Sequence, residues 1–320
     1  MKVFVTREIS EKAIHLLKKE KLQVSVYKKD KPIPRKELIK NGKNANAIVA
    51  LLTEKFDKEL IDKISKCRII ANVAVGYNNI DIEYATKKKI VVTNTPDVLT
   101  ESTSDLAMAL ILACSRRLME GERMVRTGKF KGWKPKLLLG MELKNKVVGI
   151  IGAGRIGTET AVRARAFKSR IVYFSRSKNP ELEKKTGAIK LSLDKVLKES
   201  DIISVHLPLT EETYHLLNRE KLSLLKKSAV IVNTSRGEII DEKELIKLLK
   251  QKKIFSAGFD VYENEPDVNP ELLKLDNVVL LPHIGSATQE ARTGMALLAV
   301  RNVINVLKGK KPLTPVNKID

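Results

Sequence analysis

The chain has 320 residues, of which 43% are hydrophobic, 31% charged and 4% aromatic. That composition excludes a disordered protein, and the length gives about two domains at roughly 150 residues each. Sixty Lys and Arg against 38 Asp and Glu leave a net charge of +22, yet the basic residues are spread along helix faces and no aromatic platform accompanies them, which speaks against a specific nucleic-acid module. Cys67 and Cys114 lie in apolar stretches with neither a disulfide framework nor metal spacing, so the expectations are a reducing cytoplasm and no metal.

In chain order, the first hundred residues alternate strands (Lys2–Thr6, Gln23–Tyr27, Ala47–Leu52, Ile69–Val73, Ile90–Asn94) with amphipathic helices. The first helix is Ser10–Lys19, with Ser10 as cap and Ile14, Leu16 and Leu17 as its apolar stripe. A long helical pattern follows, from Glu101 to Thr127, then a loop with Trp133 and Pro135. A second series has strands Val147–Ile151, Arg170–Phe174, Ile202–His206, Ala229–Asn233, Phe255–Phe259 and Val278–Leu281. One more helix, Gln289 to Lys308, ends at Gly309. Two doubly wound parallel-sheet α/β domains fit this alternation. The longest apolar run, near Leu106 to Cys114, is too short for a bilayer, and Met1–Thr6 reads as a strand rather than a leader.

Val147–Ile151 runs into Gly152-Ala153-Gly154-Arg155-Ile156-Gly157, a strand entering a Gly-x-Gly-x-x-Gly turn ahead of a helix. Such glycines allow a tight turn, close backbone approach to a pyrophosphate and close helix–sheet packing. The next strand ends not in an acid but in Ser175-Arg176-Ser177, which suits a 2′-phosphate and favours NADP(H) over NAD(H). Four histidines make a short census. His15 and His215 read as structural members of helical regions, while His206 ends a strand beside the cofactor edge. His283, Arg236 and the acidic run Asp260 to Glu265 also follow strands. If they converge, they suit hydride transfer to a 2-keto acid: an arginine fork for the carboxylate, a histidine acid and a carboxylate partner.

Several motifs in order carry a resemblance: the glycine turn, His206-Leu207-Pro208-Leu209-Thr210, Asn233-Thr234-Ser235-Arg236-Gly237, Asp260 through Pro266 and Pro282 through Thr288. Asn72 through Asp81 and Asn94 through Thr100 extend it over essentially the whole chain. The sequence resembles the D-isomer-specific 2-hydroxyacid dehydrogenase family. The resemblance implies a flavodoxin-like substrate domain over residues 1–98, a Rossmann domain with a dimerisation arm over 99–288, and a C-terminal helix (289–320) returning to the substrate domain. It implies Arg236 as carboxylate clamp, Glu265 as partner of the histidine and His283 as acid/base. Cofactor contacts implied are Gly152, Gly154, Arg155, Ile156, Gly157, Ser175, Arg176, Ser177, His206, Thr234, Asp260 (beside the carboxamide) and Gly285. Leu52 and the N–H groups of Val75 and Gly76 are implied for substrate, and residues from about Thr100 to Met141 for a homodimer.

The run Gly132 to Gly140, with Leu51-Leu52-Thr53 and Ser175-Arg176-Ser177, resembles the glyoxylate/hydroxypyruvate reductase branch. That branch implies a small 2-keto acid reduced to the 2-hydroxy acid, the D-isomer where chiral. Alternatives on the same fold are a D-lactate- or phosphoglycerate-type dehydrogenase, the latter disfavoured by Leu52 where an arginine is usual, and a dinucleotide-sensing corepressor. Asn145 departs from the family's usual glycine, which is expected to alter a turn only.

Overall fold

A computed structural model describes residues 1–319. The chain opens with β1 (Lys2–Val5), α1 (Glu11–Lys19), β2 (Gln23–Val26), α2 (Arg35–Gly42), β3 (Ala47–Ala50), α3 (Lys58–Lys63), β4 (Ile69–Asn72), α4 (Ile82–Lys87) and β5 (Val91–Thr93). It continues through α5 (Thr100–Ser115), α6 (Leu118–Arg126), β6 (Val147–Ile151), α7 (Arg155–Ala166), β7 (Arg170–Phe174), α8 (Pro180–Thr186), β8 (Ile189–Lys190), α9 (Leu193–Glu199) and β9 (Ile202–Val205). The remainder is α10 (Arg219–Leu222), β10 (Val230–Asn233), α11 (Glu242–Lys250), β11 (Ser256–Phe259), α12 (Pro270–Leu273), β12 (Val278–Leu280) and α13 (Gln289–Leu307).

The chain divides into two compact units, one of Met1–Leu99 rejoined from Ala287 onward, the other Thr100–Ser286. In the first, five strands run parallel in the order β2-β1-β3-β4-β5, the flavodoxin-like arrangement. Its core packs Phe4, Ile48 and Ile70 of the sheet with Phe56, Leu60, Ile61 and Ile64. α13 belongs to this unit. Thr288 caps its start by accepting from Ala291 N–H at 3.1 Å, and Arg68 donates to the Val306 carbonyl at 3.1 Å near its end.

The second unit has seven parallel strands in the order β12-β11-β10-β9-β6-β7-β8. The order reverses between β6 and β9, the point where doubly wound sheets bind ligands at their carboxyl edge. Both faces are covered. Val230 and Val232 of β10 join one core with Ile150 and Tyr173, while Ile231 joins the other with Val205 and Phe259. That period of two, apolar on both sides, is why these strands read as continuous hydrophobic runs.

Four local expectations change. The pattern from Glu101 to Thr127 is two helices, broken at Arg117, which takes a left-handed φ of 54° and pairs with Glu120 at 2.7 Å. Ser10 precedes α1 without a side-chain cap bond, and Ala13 and Leu17 are its buried residues. His215 lies in a turn at φ 45°, not in a helix. The two-residue β8 was not anticipated: it has too few residues to alternate. Asn145 adopts φ 64°, a region in which glycine and asparagine cost least.

Candidate active site

Parallel strands place all their carboxyl ends on one edge, so in the second unit every sequence-derived site residue follows a strand on that edge. Gly152 turns at φ 100°, and a Cβ there would lie 2.5 Å from the His206 carbonyl oxygen. A Cβ on Gly157 would lie 2.1 Å from the Gly152 carbonyl oxygen, whereas one on Gly154 would meet nothing within 4 Å. Two glycines therefore close the turn, and the third leaves its outer side open. Arg155 and Ile156 begin α7 behind it, so the helix N-terminus faces the turn. At the end of β10, the Thr234 hydroxyl is buried without a partner among the described residues. An open glycine turn and an orphaned hydroxyl on the same edge fit a dinucleotide.

Ser175, Arg176 and Ser177 follow β7. The Ser175 hydroxyl donates to the Ser177 carbonyl, so its proton is spent inside the turn rather than left for a phosphate. His206 follows β9, with its Nε2 2.8 Å from the Ser204 hydroxyl. Desolvation pushes its pKa down to about 3, so the ring is neutral near pH 7. Below pH 6.5 the unfolded chain takes up a proton that the folded ring refuses, so stability falls as pH drops from about 6.5 toward 3. Denaturant unfolding at pH 4 and pH 7 should show a smaller loss for His206→Gln than for the parent; an equal loss would contradict the assignment.

The residues suited to chemistry are held by three neighbouring strand ends. Asn233 ends β10, accepts from the Ser235 N–H at 3.0 Å and hydroxyl at 2.8 Å, and donates to the Arg236 carbonyl at 2.8 Å. This knot sets the main chain from which Arg236 projects. Burial pulls the Arg236 pKa down, against the charges of Glu265 and Glu238, yet a guanidinium keeps its proton in the neutral range. After β11, the Tyr262 N–H donates to Glu265 at 3.1 Å and the Tyr262 hydroxyl donates to the Leu281 carbonyl at 2.9 Å.

After β12, His283 stands at φ 54° with Nδ1 2.7 Å from the Glu265 carboxylate. Burial works to raise the Glu265 pKa, but the bond to His283, its charge, the Tyr262 N–H and Arg236 outweigh it and hold the carboxyl below its ordinary value. With Nδ1 committed to Glu265, Nε2 is the ring atom left to exchange a proton.

Asp260, 1% exposed, accepts from the N–H groups of Ile284 and Gly285, each at 2.7 Å. Its pKa is raised by burial, partly countered by these bonds. Thr103 donates to the Gly285 carbonyl at 3.1 Å. The turn just after His283 is thus clamped from both sides, a role for Asp260 that the sequence did not reveal. Nor did it reveal that His215 pairs with Glu263 at 2.9 Å on the same acidic loop. The nearest sequence signal was an acid directly following a buried strand.

In the first unit, Leu52 follows β3, and Val75 and Gly76 follow β4. The buried Glu54 carboxylate accepts from the Thr6 hydroxyl and Leu51 N–H, both at 2.7 Å, and from the Thr53 hydroxyl at 2.6 Å. Asn94 and Asn72 each donate at 2.9 Å, to the carbonyls of Val75 and Gly76 respectively. The pinned Val75 carbonyl fixes the peptide plane of the Gly76 N–H, and the Ala74 carbonyl, which accepts from the Thr95 N–H at 2.8 Å, fixes that of the Val75 N–H. Among the described residues no three His, Cys, Asp or Glu stand together as metal ligands, and no helix is long and apolar enough to cross a membrane.

Comparison with known proteins gives the family. Residues 108–285 match the model of the D-isomer specific 2-hydroxyacid dehydrogenase NAD binding domain. The glyoxylate reductase of Thermococcus litoralis is 50% identical over 99% of this chain and 97% of its own length. The crystal structure of a glyoxylate reductase from Paecilomyes thermophila superimposes with a TM-score of 0.89 at 34% identity, covering 99% of this chain and 98% of that one. The NADPH-dependent glyoxylate/hydroxypyruvate reductase of Sinorhizobium meliloti, in complex with NADP and malonate, gives 0.85 at 32% identity, covering 98% and 96%. With its glycine turn, paired histidine and glutamate and full-length relatives, this chain belongs to the D-isomer specific 2-hydroxyacid dehydrogenase family.

Proposed function

We propose that the protein reduces glyoxylate, hydroxypyruvate or a similarly small 2-keto acid with a reduced nicotinamide dinucleotide. The observation that carries this reading is the 2.7 Å pair of His283 and Glu265 in the unit that also carries the half-buried Arg236 and the open glycine turn. The dinucleotide supplies the hydride to the keto carbon when bound. Gly152, Gly154 and Gly157, with Arg155 and Ile156, hold its phosphates on the N-terminus of α7. Thr234, His206, Gly285 and the remaining lone pairs of Asp260 line its nicotinamide half.

Arg236 grips the substrate carboxylate through its fork of N–H groups. His283 gives the Nε2 proton to the carbonyl oxygen, and Glu265, ionised near neutrality, orients the ring and favours its charged form. The unit of Thr100–Ser286 is the dinucleotide domain. The other is the substrate domain, with Leu52 and the N–H groups of Val75 and Gly76 as its contacts.

NADP(H) is the favoured cofactor because Arg176 stands where an acid would repel a 2′-phosphate. The relatives with glyoxylate reductase names favour the small keto acid. Loss of reduced-nicotinamide absorbance with glyoxylate should be faster with NADPH than with NADH. Faster loss with NADH would overturn the cofactor preference, and no loss with either across short keto acids would overturn the reductase reading.

We also infer a homodimer in the cytoplasm. The buried free thiols of Cys67 and Cys114 suit a reducing compartment. α6 buries none of its residues, and the segment around it exposes Leu118, Val125, Phe130, Leu139 and Trp133, the last at 81%. Apolar side chains gathered in one segment mark an association surface. Light scattering should show twice the chain mass for the parent and the single chain mass for a Val125→Glu/Trp133→Glu variant. A dimer surviving both changes would place the interface elsewhere.

A further inference from the structure

The turn that follows β7 is held at two points by side chains outside it. Asn179 reaches back to the glycine turn, donating to the Ala153 carbonyl at 2.8 Å and to the Thr158 hydroxyl at 3.1 Å. This fixes the end of the Ser175–Ser177 segment relative to the phosphate-binding turn. The second hold comes from β8, whose parallel pairing sets Lys190 opposite Tyr173, two residues before Ser175. From there the Lys190 ammonium donates to the Arg176 carbonyl at 2.9 Å.

A lysine on an edge strand usually serves as a solvated guard against strand pairing. Lys190 differs in having its head group folded onto the turn. It makes no ion pair within 4.0 Å among the described residues. Glu183 beside it is instead engaged by the Tyr173 hydroxyl at 2.8 Å and by Lys178 at 3.2 Å. One of three ammonium donors is spent on the Arg176 carbonyl, and the charge, which acts on Glu183 without pairing to it, stands at the foot of Arg176.

We propose that Lys190 is a second determinant of dinucleotide choice, fixing the main chain at Arg176 and adding a positive charge to the place a 2′-phosphate occupies. This rests on the NADP(H) reading above. Lys190 lies in β8, 14 residues beyond Arg176 in the turn after β7, so only the fold connects the two.

The test is calorimetric titration of the full chain with adenosine 2′,5′-bisphosphate and with 5′-AMP, for the parent, Lys190→Met and Lys190→Arg. The parent should bind the bisphosphate more tightly. Lys190→Met should weaken the bisphosphate by about tenfold, the scale of one charged hydrogen bond, and change 5′-AMP less than about twofold. Lys190→Arg should restore most of the difference, and KM should rise for NADPH while kcat and the unfolding temperature hold. An unchanged bisphosphate-to-AMP ratio in Lys190→Met, or equal weakening of both ligands, would overturn the role of Lys190 while leaving the cofactor preference standing. A parent that binds the two nucleotides alike would overturn the preference itself, and the role with it.

Discussion

Replacing His283 with alanine should lower kcat by about 10²- to 10⁴-fold, the usual worth of a positioned general acid. The protein should still fold. The His283 side chain is 28% exposed, and the turn after it is clamped by Asp260 through backbone N–H groups that the substitution leaves in place. Nucleotide binding should survive, because the glycine turn and the Ser175–Ser177 segment do not touch the ring. Glu265→Gln keeps the shape and removes the charge that favours the protonated ring, so its loss should be smaller. Steady-state kinetics with glyoxylate beside thermal unfolding separates the cases. Near-parental kcat in His283→Ala would remove the ring from the mechanism, and parallel collapse of Tm would make it a structural residue.

Gly237→Ala should be as damaging by another route. A Cβ at this position would lie 1.9 Å from the carbonyl carbon of Tyr262 and 2.2 Å from its oxygen. Those are backbone atoms of the acidic loop and have no rotamer to move into. The added methyl must push apart the segment that carries Arg236 and the loop that carries Glu265, which the Tyr262 N–H bond ties to Tyr262 itself. Overpacking of this kind costs about 1–3 kcal/mol or more. The expected outcome is a fall of several degrees in Tm together with a rise in KM for the keto acid, as Arg236 loses its place. An active, thermally unchanged Gly237→Ala would mean that this contact does not set the spacing.

What the sequence displayed and what it hid follow physical lines. Strands buried on both faces announce themselves as apolar runs, and the half-exposed edge strand β2 by its alternating valines, so eleven of the twelve were legible to within a residue or two; β8, with two residues at a sheet edge, was not. The helix break at Arg117 was hidden because a left-handed arginine interrupts the pattern without a glycine or proline to mark it. The residues proposed for the site stand out in the sequence because they lie within three residues of a strand end, as Arg236 and His283 do. Their supports do not, because they act over long sequence separations. Asp260 clamps backbone 24 and 25 residues away, and Glu54 bonds Thr6 across 48. The +22 charge was legible as a number and not as a pattern: three acids, Glu101, Asp105 and Glu159, gather on the single Arg163, so the excess of bases lies elsewhere along the chain.

The most direct test follows the hydride itself. Protein, glyoxylate and NADPH carrying deuterium at the transferable C4 position would be mixed for a single turnover, and the product read by mass spectrometry. Hydride transfer to the keto carbon, with the oxygen protonated by His283, predicts glycolate carrying one deuterium on C2, and far less of it with His283→Ala. Glycolate without deuterium, or labelled glycolate formed equally by both proteins, would contradict the account.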